Sequence, residues 1–334
     1  MEQTLCIKNA PWVSGAPNLA AYGFLYQRSK TTYIHLRNNS HRPQPGMLDS
    51  LPNELLLHIF SFLELKPYLI SRAVCNKWQR LLPHAEVHPI RGRMLQLFHH
   101  MLQAPDFLET RPWVLENLQS FDRQAYIDEL LMQYPAIPEE FRLWILEWPA
   151  KMAPSGEWPG LPMVKFNGWT YGMCNGVDWL AYTTPLLLAL VYNKGSPDIQ
   201  ENLTPALLVW RGFEHSRWLL FDKDEPELFG RVLYIDYPDS PAFYPTKKDH
   251  LNYEVDPFEI ETAPDWIAYV KDCWDIGVLN RPDRIMGPVE ERRISRPVGY
   301  KFSALYSDKF PSAPWVQRHD PKFHSDIAGF REYV

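Results

Sequence analysis

The sequence predicts an α+β protein: an N-terminal helical segment, then a domain in which a mostly antiparallel sheet is flanked by helices. Three observations carry this. Apolar residues recur at helical spacing between Leu51 and Leu82 and again between residues 120 and 148. From Leu207 the pattern changes to short apolar runs divided by turn residues, and a helical period returns at Trp266. Helices, then strands, then a helix is an α+β order.

Residues 1–46 contain Pro, Gly and polar residues without a sustained period, which predicts a disordered leader ending just before Met47. They lack the basic start and apolar block of a secretory signal. Glu2 is the only acid there, so a mitochondrial presequence is the competing reading. In the next segment Leu55, Leu56, Ile59, Phe60 and Leu63 line one side of a helix, with Pro52 near its start, where a missing N–H costs nothing. Pro67 is expected to break the run. A second helix is expected beyond it, with Leu69, Val74, Trp78, Leu81 and Leu82 on a broad apolar face. Helices this short cannot enclose so many large side chains by themselves, so part of this surface is expected to meet a second protein.

The ordered residues Leu51-Pro52-x-Glu54-Leu55, Ile59-Phe60-Ser61-Phe62-Leu63 and Val74-Cys75-x-x-Trp78 resemble the F-box family, with the match running from about Met47 to His84 in a segment bounded at 47–90. That resemblance implies that Leu51, Pro52, Leu55, Ile59, Val74 and Trp78 bind the Skp-type adaptor of an SCF ubiquitin ligase and, through it, a cullin-RING ligase. Pro67-Tyr68 departs from the acidic residue and Leu that many members carry, at what reads as a loop position. Periodicity alone leaves open an ordinary helical hairpin whose Leu and Trp residues are simply core.

Residues 91–119 are helical in pattern but interrupted by Pro105 and Pro112, as suits a connector. Ser120 is expected to cap a helix with Ile127, Leu130, Leu131 and Tyr134 in register. Pro138 is expected to start another with Phe141, Trp144, Ile145 and Trp148. Residues 149–178 read as a long ordered loop with one strand, and Trp179 to Tyr192 as a buried core element. The runs 207–210 and 218–221 form a hairpin pattern, residues 231–237 a third strand, and Thr262 to Asp265 a capping box opening the last helix. Beyond Gly277 a Pro- and Arg-rich arm, residues 277–334, is expected to dock partly through Trp315, Phe323 and Phe330.

Residues 120–276 resemble the SUKH superfamily in Tyr134-Pro135-x-Ile137-Pro138-x-x-Phe141-Arg142, the strands Trp218 to Asp222 and Gly230-Arg231-Val232, and Ala263-x-x-Trp266-Ile267-x-Tyr269-Val270. The loop at 149–178 is longer than that family leads one to expect. The resemblance implies an interaction module rather than an enzyme.

Composition sets the remaining limits. Of 334 residues 46% are hydrophobic and 14% aromatic, enough for a substantial core, and the net charge is −6. Residues 1–46 carry five basic and one acidic side chain and residues 277–334 ten and seven, which leaves −13 for residues 47–276 and speaks against nucleic acid as a partner. Cys6, Cys75, Cys174 and Cys273 are scattered, which favours a reducing compartment, cytoplasmic and/or nuclear. The stretch 179–192 is shorter than the roughly 20 residues of a membrane span. His84 and His88 lack a third ligand, and Asp222, Asp224, Glu225 and Glu227 read as a solvated hairpin tip, so neither a metal nor a cofactor is expected. Trp144, Trp148, Trp158, Trp169, Trp179, Trp210 and Trp218 read as core with their N–H groups on backbone carbonyls, or as the lining of a recognition groove.

Together these features favour a non-catalytic substrate receptor that holds a protein substrate beside the activated ubiquitin. A regulatory scaffold built on a SUKH-like domain, acting without degradation, is the alternative, and an enzyme hidden in residues 120–276 ranks third. Arg292-Arg293-Ile294-Ser295-Arg296-Pro297 reads as a solvated basic stretch docking on Asp and Glu near residues 222–261, or as a basophilic kinase site; under the second reading phosphate on Ser295 would add nearly two charges amid three arginines and create a 14-3-3 ligand. A phosphorylated peptide spanning residues 286–302 is expected to bind a 14-3-3 protein in a titration, and affinity no tighter than that of the unmodified peptide would eliminate the site.

Overall fold

The computed structural model describes residues 51–105, 107–154, 156–166, 176–181, 185–193, 203–212, 215–236, 244–245, 263–276, 285–288 and 300–301. The expected leader, Trp169, Ser295, the docking aromatics of the C-terminal arm, Cys6 and Cys174 lie outside them. The chain divides at Pro112 into two compact units, residues 1–112 and 113–334. The fold is α+β, with a helical first unit and a mostly antiparallel sheet in the second.

The first unit begins with α1 (Asn53–Ser61), α2 (Leu65–Ser71) and α3 (Asn76–Leu81), followed by a 3₁₀ turn at Leu82–His84 and α4 (Pro89–Gln103). Pro67 does not break a helix, contrary to expectation. It lies in the first turn of α2, where backbone N–H groups have no intrahelical acceptor to lose. Tyr68 is accordingly a buried helical residue rather than part of a loop, and its hydroxyl donates to the Leu82 carbonyl at 2.7 Å. The expected second helix is instead two, because the chain turns at 72–75 and restarts with the Cys75 Sγ accepting from Trp78 N at 3.5 Å. α4 supplies a buried stripe of Met94, Leu97, Phe98 and Met101 at i, i+3, i+4 and i+7. Pro112 lies inside α5 (Phe107–Asn117) without ending it.

In the second unit α6 (Arg123–Gln133) is capped by Asp122, whose Oδ1 accepts from Ala125 N at 2.9 Å, and not by Ser120. Two residues later in sequence, Asp122 is the group placed to reach an N–H of the first turn. α7 (Glu139–Glu147) follows Pro138 as expected. Arg123 Nη1 donates to the Ile145, Leu146 and Trp148 carbonyls at 3.2, 2.9 and 2.9 Å, satisfying the end of α7, where a cation also meets the negative end of the helix dipole. The segment expected to be a loop with one strand contains two: β1 (Val164–Phe166) and β2 (Gly176–Asp178). β3 (Leu187–Asn193), β4 (Leu203–Arg211), β5 (His215–Leu220) and β6 (Val232–Asp236) follow, then the short β7 (Tyr244–Pro245), α8 (Trp266–Asp275), β8 (Ile285–Pro288) and β9 (Tyr300–Lys301). Asp265 itself caps α8, accepting from Ala268 N at 3.0 Å, where a capping box opened by Thr262 was expected; Thr262 is outside the described residues.

The sheet runs β6-β5-β4-β2-β1-β8, with β3 also on β4, so β2 and β3 share one edge of that strand. Gln133 fixes α6 to the start of β3: its Oε1 accepts from Leu187 N at 2.7 Å and its Nε2 donates to the Pro185 carbonyl at 2.8 Å. Ala206, Leu208, Trp218, Leu220 and Leu233 form the core on one face. The β4–β5 register shifts between Leu208 and Trp210. The extra residue, Val209, turns Trp210 to the opposite face, where Arg217 is its cross-strand partner and lies 4.8 Å from the indole centroid.

Aromatic packing joins α7 and α8. Trp144 stacks on Trp148 with centroids 4.1 Å apart, and the Phe141 and Trp266 rings meet edge-on at 5.0 Å. Trp144, Trp148 and Trp158 are therefore core, and Trp218 too, whereas Trp179 and Trp210 are half-buried. For Trp144, Trp158 and Trp218 the expected backbone partners are missing among the described residues. Trp218 Nε1 donates to Ser216 Oγ at 2.8 Å, and the N–H groups of Trp144, Trp158 and Trp266 meet no acceptor among the described residues. Ring-on-ring packing fixes the orientations of Trp144 and Trp266 ahead of their hydrogen bonding.

Gly176 is set by close approach: a methyl group there would sit 2.8 Å from the Trp210 ring. Gly92 in α4 has open space, with its nearest neighbour at 3.8 Å. Gly176→Val is expected to destabilise the protein by about 1–3 kcal/mol through overpacking, and Gly92→Ala to leave stability unchanged or raise it by up to about 1 kcal/mol. Urea unfolding of the two variants checks both signs.

Candidate functional site

α1 carries two apolar stripes where one core needs one. Leu56 and Phe60, four residues apart, are buried. Leu55, Ile59 and Phe62, at i, i+4 and i+7, turn toward solvent, and Ile70 in α2 and Val74 in the turn before α3 are exposed as well. The five are between 44% (Ile59) and 69% (Phe62) exposed. Five of the nine large hydrophobic residues exposed among the described residues thus fall between Leu55 and Val74. Such a concentration on a small helical unit is the physical mark of an interaction surface.

The inner residues hold this surface in shape. Trp78 is half-buried and meets Phe60 edge-on, with ring centroids 5.2 Å apart. Lys77 Nζ donates to the Leu51 carbonyl at 3.0 Å, tying α3 to the entry of α1. Of the six residues expected to bind a partner, Pro52, Leu55, Ile59 and Val74 are exposed, while Leu51 and Trp78 are half-buried. Phe62 and Ile70 were not among them. The signal for Phe62 was present, since it continues the stripe of Leu55 and Ile59 by another turn.

Residues 48–85 match the family model described as F-box-like. The chain carries an F-box-like domain. No curated protein and no solved structure matches the chain. Nothing in these comparisons bears on the SUKH resemblance of residues 120–276. F-box domains as a class bind Skp-type adaptors of cullin-RING ligases.

His84 is exposed and His88 half-buried, and no group of three or more metal-ligating side chains is assembled among the described residues. The acidic run after β5 is not uniformly solvated, as expected of a hairpin tip. Asp222 is buried, with its Oδ1 accepting from Asp224 N at 3.2 Å, whereas Asp224 and Glu227 are exposed. No helix among the described residues is long and apolar enough to cross a membrane.

Behind the F-box, α4 places His99 against Arg72 at the end of α2, with 2.7 Å between Nε2 and Nη1. Arginine has only donors, so Nε2 must be the unprotonated nitrogen and Nδ1 carries the ring proton. Burial and then the Arg72 charge lower the imidazole to about 4. Because the folded value lies below that of the unfolded chain, the unfolded state takes up the proton first as pH falls. Stability from this contact is complete above about pH 6.5 and is lost progressively toward pH 4. We expect the His99 ring resonances to titrate near pH 4 and the first unit to lose thermal stability between pH 6.5 and 4; an ordinary midpoint above 6 would contradict the assignment.

Proposed function

We propose that this chain is a substrate-receptor subunit of an SCF-type ubiquitin ligase: its F-box docks a Skp-type adaptor through Leu51, Pro52, Leu55, Ile59, Val74 and Trp78, and its α+β unit captures the protein to be modified. The observation that carries the reading is the outward stripe of Leu55, Ile59 and Phe62 with Ile70 and Val74 beside it, apolar surface that the first unit's own core does not use. Phe62 and Ile70 join the six residues in this role. Pro52, Leu55, Ile59 and Val74 make direct contact, whereas Trp78 acts partly from within by supporting Phe60. The chain supplies no catalysis of its own. It holds a substrate lysine near the activated ubiquitin, which turns an encounter between two molecules into an effectively intramolecular step. The sequence resemblance of residues 120–276 to the SUKH superfamily, which implies an interaction module, supports this arrangement.

The division into inner and outer residues gives a clean test. Ile59→Asp and Val74→Asp place a charge in the adaptor contact but not in the core, so each is expected to weaken adaptor binding at least about 100-fold while the melting temperature stays within a few degrees of wild type. Phe60→Ala is expected to unfold or strongly destabilise the first unit, at about 3–5 kcal/mol. Affinity purification checks the wider reading: adaptor and cullin should accompany the wild-type chain and be absent with Ile59→Asp. An unchanged yield of adaptor with both aspartate variants would contradict the docking surface, and adaptor without cullin would contradict a ligase subunit.

A further inference from the structure

Three ionisable groups meet inside the α+β unit. The sheet register pairs Asp178 of β2 with Trp210 of β4, and Trp210 in turn with Arg217 of β5, which sets all three on one face. Gly156 brings Glu157 to them: it has φ +86°, and a methyl group on it would lie 3.2 Å from Asp178 Oδ2 and 3.1 Å from the Phe166 ring. Glu157 and Asp178 are each about 1% exposed. One oxygen of each is used. Tyr269 Oη donates to Glu157 Oε1 at 2.9 Å, and Leu180 N donates to Asp178 Oδ1 at 2.9 Å. The second oxygens, Glu157 Oε2 and Asp178 Oδ2, are buried without a hydrogen-bond partner among the described residues.

The charge balance is as informative as the geometry. The groups acting on this pair are Tyr126 of α6, Arg217 of β5, and Tyr269 and Cys273 of α8, with Tyr234 of β6 beside Arg217. Arg217 is the one cation among them. It donates to Cys273 Sγ at 2.8 Å and lies over the Trp210 and Tyr234 rings at 4.8 and 5.0 Å. One guanidinium balances one carboxylate. A second ionised carboxylate in this interior would be an uncompensated buried charge, costly enough that such groups neutralise instead.

We propose that Glu157 and Asp178 retain one proton between them in the folded protein at neutral pH, so that the α+β unit is built to loosen as pH rises. A single proton leaves the cluster of Glu157, Asp178 and Arg217 neutral. Electrostatics agree in direction. Burial, opposed by the Tyr269 hydrogen bond and Arg217, pushes Glu157 up to about 7, and burial with the neighbouring Glu157 charge holds Asp178 well above the carboxylate range. Folded-state values above those of the unfolded chain mean that the folded protein holds more protons between about pH 4.5 and 7. Stability therefore falls as pH rises through that window.

The full-length chain serves for the test. Infrared spectroscopy at pH 7 is expected to show a protonated carboxyl C=O band that Asp178→Asn removes. Between pH 5 and 7 the unfolding equilibrium constant of the α+β unit is expected to rise by up to about tenfold per pH unit, the limit set by one proton's linkage. Glu157→Gln supplies a non-titrating N–H in place of the shared proton, so it is expected to flatten that slope and to melt above wild type at pH 8.5. A wild-type protein without the band, or a pH slope unchanged in both variants, would overturn the proposal. The infrared measurement on wild type decides the matter even where a variant does not fold.

Discussion

The first unit is governed by a surplus of apolar surface. α1, α2 and α3 together hold more large hydrophobic side chains than their own core uses, and the helical period sorts them. Leu56, Phe60, Tyr68 and Leu69 turn inward, and Leu55, Ile59, Phe62, Ile70 and Val74 remain outside. A unit this small buries too little of its surface to do otherwise. Adaptor docking in the proposed reading follows from that sorting, because the residues that make the core also fix the shape of the surface left over. Trp78 stands at the junction, propping Phe60 from inside while remaining partly open to a partner.

The second unit solves a different problem. Its sheet uses both faces of β4, with Ala206 and Leu208 on one side and Leu207 and Val209 on the other, all buried. The bulge at Val209 then rotates Trp210 out of the first set and into the second, beside Arg217. One inserted residue thereby builds the polar centre that also receives Asp178 from β2 and Glu157 from the loop before β1. Polar groups so deep in an aromatic core specify one register, since slipping β2 on β4 by a residue would turn Asp178 to the other face.

Much of this was legible in the chain. The periods of residues 123–133, 139–147 and 266–275 announce their helices, and the apolar runs on either side of Gly212 announce the β4–β5 hairpin. The F-box string was legible because its residues occur in a fixed order, which periodicity alone does not provide. Prolines misled where position matters more than identity: Pro67 occupies a first turn, and Pro112 sits within α5. β1 and β2 were obscured because three-residue strands among Gly, Pro and aromatic residues have no measurable period. Glu157 and Asp178 gave only a faint signal, single acids set among apolar and aromatic neighbours in Gly156-Glu157-Trp158-Pro159 and Val177-Asp178-Trp179-Leu180. Only long-range pairing brings them together.

The central claim is that apolar surface left unburied by the F-box core is what an adaptor covers. Removal of such surface from water carries a negative heat-capacity change, a more secure marker than enthalpy or entropy alone. Titration calorimetry of the full-length chain with a purified Skp-type adaptor at several temperatures measures it directly. The account predicts saturable binding whose enthalpy becomes steadily more negative on warming. Binding with an enthalpy independent of temperature, or no binding at all, would contradict it.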